Sequence, residues 1–406
     1  MTIKEQFIDE GVRYLRGQDL IKFFVSDSNP VYIPYEAYTS LRRSHMKKGD
    51  VLLSIVGTIG SVSLVTDKYD YLTGSCKIAI IRSNTINPYF LAAYLASNIG
   101  QAQIKRRVRG AVQQGLILPD LRYFPIPVIS EQSILEIEDL IKKSQQLGEH
   151  SVSLYAEAEA LLTHELGLDR LDLSPQLTYT GSFSLASSAA RLDAEFFQPK
   201  YKRLIDSLKT LNPISIVPLD SLLSVVTNGH TPLHHDLAVG DIPFLTAEHI
   251  QDFRIDFNSQ KRILTEHHEG ELKRTQLRVR DVLITIKGRI GNAAIVDNLP
   301  SPANINQDVA LLRFLPTYHP YFIVGYLNSI LGKTLIDQIC TGQINPFLGL
   351  GNLRQLQIPI FDEHLMNSIG QQIEQTVQSA DQAHQDAARL LETAKQRVEQ
   401  MILGSA

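Results

Sequence analysis

The chain has two cysteines among 406 residues, Cys76 and Cys340, so no disulfide framework holds it and a reducing cytoplasm is the expected compartment. Both read as small buried groups. No apolar run approaches the roughly 18–20 residues that cross a bilayer, and the opening MTIKEQFIDEG has no apolar signal core, so no membrane partner is expected. The phosphate-binding pattern GxxxxGK[ST] is missing, and with it any sign of nucleotide hydrolysis. Asn87-Pro88-Tyr89-Phe90 lacks the second proline of an adenine-methyltransferase clamp, and a helix start explains it. Glu271-Leu272-Lys273 has the Glu-x-Lys end of a nuclease site, but no aspartate can be placed at a preceding strand end to share a metal with it. His230, His234, His235, His267 and His268 come without a Cys pair or HExxH, which reads as loop histidines and not as a zinc site. The expectation is a non-enzymatic chain with no catalytic residue, no metal and no cofactor of its own.

What is present is length and pattern. The chain is long enough for two or three domains, and 44% hydrophobic residues is ordinary for a folded protein. The net charge of −4 is unevenly spread. Residues 131–172 carry ten acidic against three basic side chains and 363–406 carry six against three, which leaves the remainder net positive. Such a division suits a protein whose globular parts meet a polyanion while its acidic helices meet protein.

Sliding the sequence against itself exposes a repeat. KKGDVLLSIVGTIGSVSLV at 47–65 matches RVRDVLITIKGRIGNAAIV at 278–296, an offset of 231. NPYFLAAYLAS at 87–97 then matches HPYFIVGYLNS at 319–329, and LPDLRYFPIPVISEQ at 118–132 matches 350–364, both at offset 232. In each copy DVLLSI or DVLITI reads as a strand, a glycine-framed turn leads to a second strand, and KIAIIRS or DVALLRF is a third. Pro88 and Pro320 open amphipathic helices. FPIPV and LQIPI are extended, because residues before proline avoid the helical region.

A long helix follows each copy. From Glu363 to about Ile402 the apolar residues Ile369, Ile373, Val377, Ala380, Ala383, Ala387, Leu390 or Leu391, Ala394, Val398 and Met401 or Ile402 recur every three or four positions among polar ones. This is a narrow stripe at coiled-coil-like spacing, about 55–60 Å long. Residues 131–165 repeat it more weakly, with Gly148 expected to bend or interrupt the helix. Packing the two stripes antiparallel satisfies both.

The copies differ at the front. The second has residues 191–211, expected as a helix, then VPLDSLLSVVTNGHTP and DIPFLTAEHI, whereas the first retains only VRYLRGQDL at 12–20. The first domain therefore starts late, and another chain or segment is one way to close its sheet.

Two rounds of charged turn, GDVL or RDVL, GxxG, strand, (N/H)PYF helix, basic segment with glycine, IPIP or QIPI and long helix resemble the DNA-specificity (S) subunit of Type I restriction–modification enzymes. RLDAEFFQPKY and NGHTP add to the resemblance at the start of the second half. The resemblance implies an α+β fold of two similar strand-rich target recognition domains joined by two long antiparallel coiled-coil-like helices. The expected division is 1–130 for the first recognition domain with a short front, 131–168 for the first helix, 169–190 for a linker, 191–362 for the second domain and 363–403 for the second helix. It also implies double-stranded DNA as ligand, modification (methyltransferase) subunits docked on the helices, and restriction subunits held through the complex. S-adenosylmethionine, ATP and Mg would sit on those partner subunits. A helical scaffold without specific DNA binding, and a detached specificity portion of a fused enzyme, are the alternatives.

The DNA-facing candidates come from the basic and amide residues. Lys273, Arg274, Arg278, Arg280, Lys287 and Arg289 place six cations within 17 residues. Lys287 and Arg289 flank Gly288 in the GRIG turn, where arginine could fork onto guanine and lysine could meet phosphate. Thr58 stands where Arg289 does in the first copy, so the two domains should read different bases. Asn304, Asn306 and Gln307 are amides suited to adenine, or to capping turns. Lys105, Arg106, Arg107 and Arg109 form the densest basic knot and suit phosphate, or a helix C-terminus. Gln113, Gln114, Gln343 and Asn345, beyond Gly110 and Gly342, are further candidate readers.

Overall fold

The computed structural model describes residues 6–404 apart from 21, 26–29, 111–113, 234–235 and 343. The chain divides into two compact units, residues 1–149 with 383–406, and residues 150–382.

The first unit runs through β1 (Val12–Leu15), β2 (Tyr32–Ile33), α1 (Tyr35–Ser40), β3 (Val51–Ser54), β4 (Val62–Leu64), β5 (Leu72–Gly74) and β6 (Ile78–Ile81). The helices α2 (Pro88–Ala96), α3 (Asn98–Arg106) and α4 (Leu118–Arg122) follow, then α5 (Glu131–Glu165). After α6 (Phe183–Ala189) and α7 (Pro199–Thr210), the second unit has β7 (Ser215–Pro218), β8 (Leu223–Asn228), β9 (Ile242–Leu245), β10 (Ile250–Gln251), β11 (Arg254–Ile255) and β12 (Arg262–Ile263). It continues with α8 (Thr265–Glu269), β13 (Val282–Thr285), β14 (Ala293–Ile295), β15 (Asn304–Ile305), β16 (Val309–Phe314), α9 (Pro320–Asn328), α10 (Ile330–Ile339), α11 (Leu350–Arg354) and β17 (Gln357–Ile360). The last element is α12 (Glu363–Leu403).

The repeat is one topology used twice. β3 lies between antiparallel β4 and β6, and β13 lies between antiparallel β14 and β16. Even the register repeats: Val51 faces Leu64 and Ile81, as Val282 faces Ile295 and Leu312. All four residues of β3 and of β13 are buried, which is why their sequences are continuously apolar or small and do not alternate. The second sheet repeats as well. β1 pairs parallel with β5 and antiparallel with β2, as β9 pairs parallel with β15 and antiparallel with β12.

The NPYF segment is a helix start. Asn87 caps α2 by accepting from Tyr89 N at 3.0 Å and Phe90 N at 3.2 Å, with Pro88 in the first turn. Between α2 and α3, and between α9 and α10, a serine cap turns the chain so tightly that a Cβ on Gly100 or Gly332 would fall 2.0 Å from a carbonyl of the preceding helix.

Within each unit half of α5 packs antiparallel on half of α12. In the first unit Ser144 Oγ donates to Ala387 O at 2.7 Å and Arg397 lies 3.6 Å from Glu136. In the second, Ser151 Oγ donates to Ala380 O at 2.8 Å, and the Tyr155 hydroxyl donates to Asp381. The anticipated stripe is the buried one: Ile369, Ile373, Val377, Ala380, Ala394 and Val398 are completely buried, opposed by Ile137 and Ile141 in the first unit and by Ala158 and Leu162 in the second. Alanine and serine at these contacts let the backbones approach closely enough for side-chain-to-carbonyl bonds.

Four expectations need correction. α5 runs through Gly148 without a break, because one glycine costs a helix only about 1 kcal/mol and a packed stripe outweighs that. The segment 169–190 contains α6, started by Ser182 accepting from Ser184 N. The helix expected over 191–211 begins only at Pro199, where a residue without an N–H is tolerated in the first turn. Cys76 is exposed and Cys340 half-buried; burial and nearby Asp337 push the Cys340 thiol up to about 11, so it stays protonated. Among the described residues no helix is long and apolar enough to cross a membrane.

Candidate nucleic-acid interface

The glycine-framed turn after β13 is fixed from beneath. Thr285 accepts from Gly291 N at 2.9 Å through its carbonyl and donates through its hydroxyl to Arg289 O. Gly288 and Gly291 have φ of +75° and +93°, conformations that keep the turn short. Lys287, Gly288 and Arg289 are exposed at its tip. A second loop lies alongside. Leu348 N donates to Ile286 O at 3.0 Å, and Phe347 makes antiparallel bridges to both Lys287 and Thr341. The structure thus unites the Lys287–Arg289 turn with the loop after Gly342, where Ile344 and Asn345 are exposed. Lys287 also lies 3.7 Å from Asp308 and 5.4 Å from the centre of the Phe347 ring.

The first unit builds the same corner from other side chains. Val56 and Arg109 both bridge to Gly115, and Leu116 N donates to Ile55 O at 2.9 Å. Thr58 is exposed at the turn, yet its hydroxyl is turned to Gly17 O at 3.0 Å and Ser54 Oγ at 3.2 Å. Gln114 is exposed in the adjoining loop, whereas Gln113 and Gln343 lie outside the described residues. The basic knot splits in two. Lys105 and Arg106 are exposed. Arg107 stacks 4.9 Å over Phe124 and donates to Gln103 O and Oε1, while Arg109 pairs with Asp120 at 2.8 Å. These two guanidiniums brace the loop, which leaves Lys105 and Arg106 as the candidates for phosphate in this knot.

Two of the amide candidates are corrected. Asn304 is completely buried; its amide nitrogen donates to Leu272 O at 3.2 Å and its oxygen accepts from the Thr275 hydroxyl at 2.6 Å. The same oxygen accepts from Ile305 N at 3.1 Å, and the His268 ring lies 3.1 Å from the amide nitrogen, where burial holds the imidazole below its usual range. Asn306 is buried and closes a turn with Asp308. Gln307 is half-buried and accepts from Thr231 at 2.7 Å. Buried amides with their bonds made have no edge to offer a base.

The basic run before β13 is part framework and part surface. Lys273, Arg274, Arg278 and Arg280 are exposed, with Arg274 donating to Asn228 O at 3.4 Å. Arg280 adopts φ +74°, where the first copy has Gly49 at +85°; each backbone N–H donates to the carbonyl just past a strand, Val296 O after β14 or Val65 O after β4. A left-handed arginine is strained by about 1–2 kcal/mol. Arg280→Gly is therefore expected to leave stability unchanged or to raise it by up to about 1 kcal/mol in urea unfolding, after allowing for the freer unfolded chain. DNA affinity that falls in the same variant identifies Arg280 as a contact. Glu271 sits between His230 Nε2 at 2.8 Å and His267 Nδ1 at 2.7 Å, and the hydrogen bond from His230 does most to hold its carboxyl below the usual range.

Three signals escaped the sequence reading: the pairing of the turn with the 341–347 loop, the exposed Ile344 beside it, and the saturation of Asn304. The first was visible only as the shared offset of Gly110 and Gly342.

No family model matches the chain. It is 24% identical over 326 residues to the Type I restriction enzyme EcoBI specificity subunit of Escherichia coli. The chain is similar to a Type I specificity subunit. The match takes in 75% of this chain and 62% of that relative, so the chain spans less than two thirds of its length. Solved structures with similar chains include the Type I restriction–modification S subunit from M. genitalium, at 16% identity and TM-score 0.44 over 98% of this chain and 91% of that one. The HsdS subunit from Thermoanaerobacter tengcongensis gives 16% identity and TM-score 0.31 over 98% and 93%. A chain from a structure concerned with complex assembly and conformational transition of the type I R-M system gives 14% and 0.36 over 98% and 94%. At these TM-scores the structural likenesses carry no argument, and the similarity to specificity subunits rests on the E. coli relative.

Proposed function

We propose that this chain is the sequence-specific DNA-binding subunit of a Type I restriction–modification assembly, itself non-catalytic and cytoplasmic. One observation carries the reading. The same glycine-framed turn and adjoining loop occur in both units, built on the same strand pair, with Lys287 and Arg289 in one and Thr58 in the other. A repeated scaffold with exchanged tip residues suits a target in two parts, each unit reading one half of a duplex. Similarity to the E. coli specificity subunit supports the same role. Methyltransferase subunits would dock on α5 and α12 and restriction subunits would join through them, bringing S-adenosylmethionine, ATP and Mg.

The test is co-expression with a modification subunit encoded beside the chain, followed by mapping of methylated adenines. A single bipartite motif is expected; a scaffold would direct no motif, and the isolated chain would show no salt-sensitive preference for any duplex.

The acidic helices are assigned to protein partners. Asp381 is unsuited to testing this, since it accepts from Tyr155. Glu149 and Glu157 are exposed on α5. Glu149→Lys with Glu157→Lys should leave the isolated chain's DNA affinity unchanged or slightly raised while weakening capture of the modification subunit. A large loss of DNA affinity with folding intact would put the helices on DNA.

A further inference from the structure

Lys273 and Arg274 have counterparts in the first unit. After β12 and α8 the chain makes a single 3-10 turn, Lys273–Thr275, and after β2 and α1 it makes the same turn at Arg42–Ser44. Both close in the same way: Thr275 N donates to Leu272 O at 3.0 Å, and Ser44 N to Leu41 O at 2.9 Å. Both are pinned to a strand of the second sheet. The Thr275 hydroxyl donates to Asn304 on β15 at 2.6 Å, and Ser44 Oγ lies 2.8 Å from Thr73 Oγ1 on β5. Leu277 N then donates to Ala303 O at 3.2 Å, as Met46 N does to Leu72 O at 2.9 Å. Each of these pairs stands at the repeat offset of 231, so Arg42 and Arg43 occupy the places of Lys273 and Arg274.

The cations and the glycine-framed turn keep one relation in each unit. Just beyond β15 the Asp308 carbonyl accepts from Ile286 N at 2.9 Å, at the base of the Lys287–Arg289 turn. Just beyond β5 the Lys77 carbonyl accepts from Ile55 N at 2.9 Å, at the base of the Thr58 turn. The first unit's strip is the more cationic of the two. Arg42, Arg43 and Lys47 are exposed, and Glu36 is the one acid on α1, whereas Glu266, Glu269 and Glu271 precede Lys273. In this unit Lys48, Arg82 and Lys143 are paired with Asp67, Asp50 and Asp139. Among the described residues the side chains of Arg42, Arg43 and Lys47 have no such partner. The turn that carries them is stiff: the Tyr38 ring stacks on His45 at 3.8 Å, and His45 Nε2 lies 2.8 Å from Tyr38 O. Unneutralised cations on a rigid base make a fixed positive spot with little ordering entropy to lose.

We propose that Arg42 and Arg43, with Lys47 beside them, form a phosphate-binding site through which the first unit grips the backbone of a DNA duplex. The proposal rests on the DNA-binding reading and adds a site to it. The first unit's turn has no cation of its own, since Val56, Gly57 and Thr58 stand where Lys287, Gly288 and Arg289 do. A half-site read there needs its phosphate contacts elsewhere, and contacts of that kind set register without carrying sequence information. The two strips agree in position and charge but not in residue type, Arg-Arg against Lys-Arg, as suits a phosphate that accepts from either.

The test uses the complex assembled with the modification subunit and two duplexes, one carrying the methylated motif and one unrelated, titrated over a range of salt concentrations. Arg42→Ala with Arg43→Ala should weaken both duplexes alike and lower the salt slope by about two, so that the deficit shrinks roughly tenfold between about 50 and 200 mM salt. The methylated motif should stay the same. Arg42→Lys with Arg43→Lys should keep both slope and motif, because phosphate accepts from either cation. An unchanged slope in the alanine variant, while the unaltered complex binds its motif, would overturn this proposal and leave the DNA-binding reading standing. A loss confined to the motif duplex, or an altered motif, would make the strip a base reader and overturn it as well. So would a lysine variant that behaves like the alanine one. An unaltered complex with no salt-sensitive preference for its motif would overturn the DNA-binding reading, and this proposal with it.

Discussion

Asp281→Ala is expected to lower the stability of the second unit by roughly 3–5 kcal/mol, the cost of breaking a buried ion pair from one side. Asp281 is 1% exposed. Its two oxygens accept from Arg313 Nε and a terminal nitrogen, both at 2.7 Å, and one also accepts from Arg278 N at 2.7 Å. The carboxylate therefore ties the turn before β13 to β16 and fixes where the basic run leaves the sheet. Removing it strands a guanidinium and an N–H. Because the Arg313 side chain keeps 22% exposure, water recovers some of the loss and the low end of the range is expected. Asp281→Ala with Arg313→Leu should recover part of the stability, since a stranded charge is costlier than an apolar replacement. Asp50 makes the same three contacts in the first unit, to Arg82 and to Lys47 N. Arg82 is 45% exposed, so Asp50→Ala should cost less. Urea unfolding followed by probes in each unit separates the two. Equal losses, or no loss at Asp281, would show that the pair is not what holds the turn.

Arg289→Ala is expected to relax discrimination at one base pair of one half-site by roughly 1–3 kcal/mol. The turn is braced by Thr285 and by the strand bridge to Phe347, so little ordering entropy is lost when its tip meets a groove. Lys273→Ala, if the ammonium meets phosphate, should weaken all sequences alike and lower the salt slope by about one. The measurement is competition over all single-base variants of the methylated motif, with each mutant assembled into the complex. Thr58 cannot fork onto guanine, so Thr58→Ala should disturb only the other half-site, and weakly. Arg289→Ala weakening every variant by one factor would make the arginine a phosphate clamp. Asn304 and Asn306, sealed in the interior, cannot then supply the specificity; Asn345 and Ile344 on the adjoining loop become the next residues to change.

By itself the sequence determined the duplication, the strands DVLLSI and DVLITI, the proline-started helices and the pairing of two long stripes. Each is written in local periodicity or in a residue type with one backbone preference, and burial enforces both. Only the tertiary structure decided which polar residues face outward. Asn304 and Arg289 are equally polar on paper, yet one is held by Thr275 and Leu272 from distant parts of the chain and the other rides the tip of a turn. Arg107 and Arg109 stood in one basic knot with Lys105 and Arg106, and only the structure sets Phe124 and Gln103 against the first and Asp120 against the second. The inequality of the two copies in front of their matching strands was legible in the sequence. That β6 has no second strand beside it and residues 124–129 have none, among the described residues, was not, because an edge strand is defined by what lies beside it and never by its own sequence.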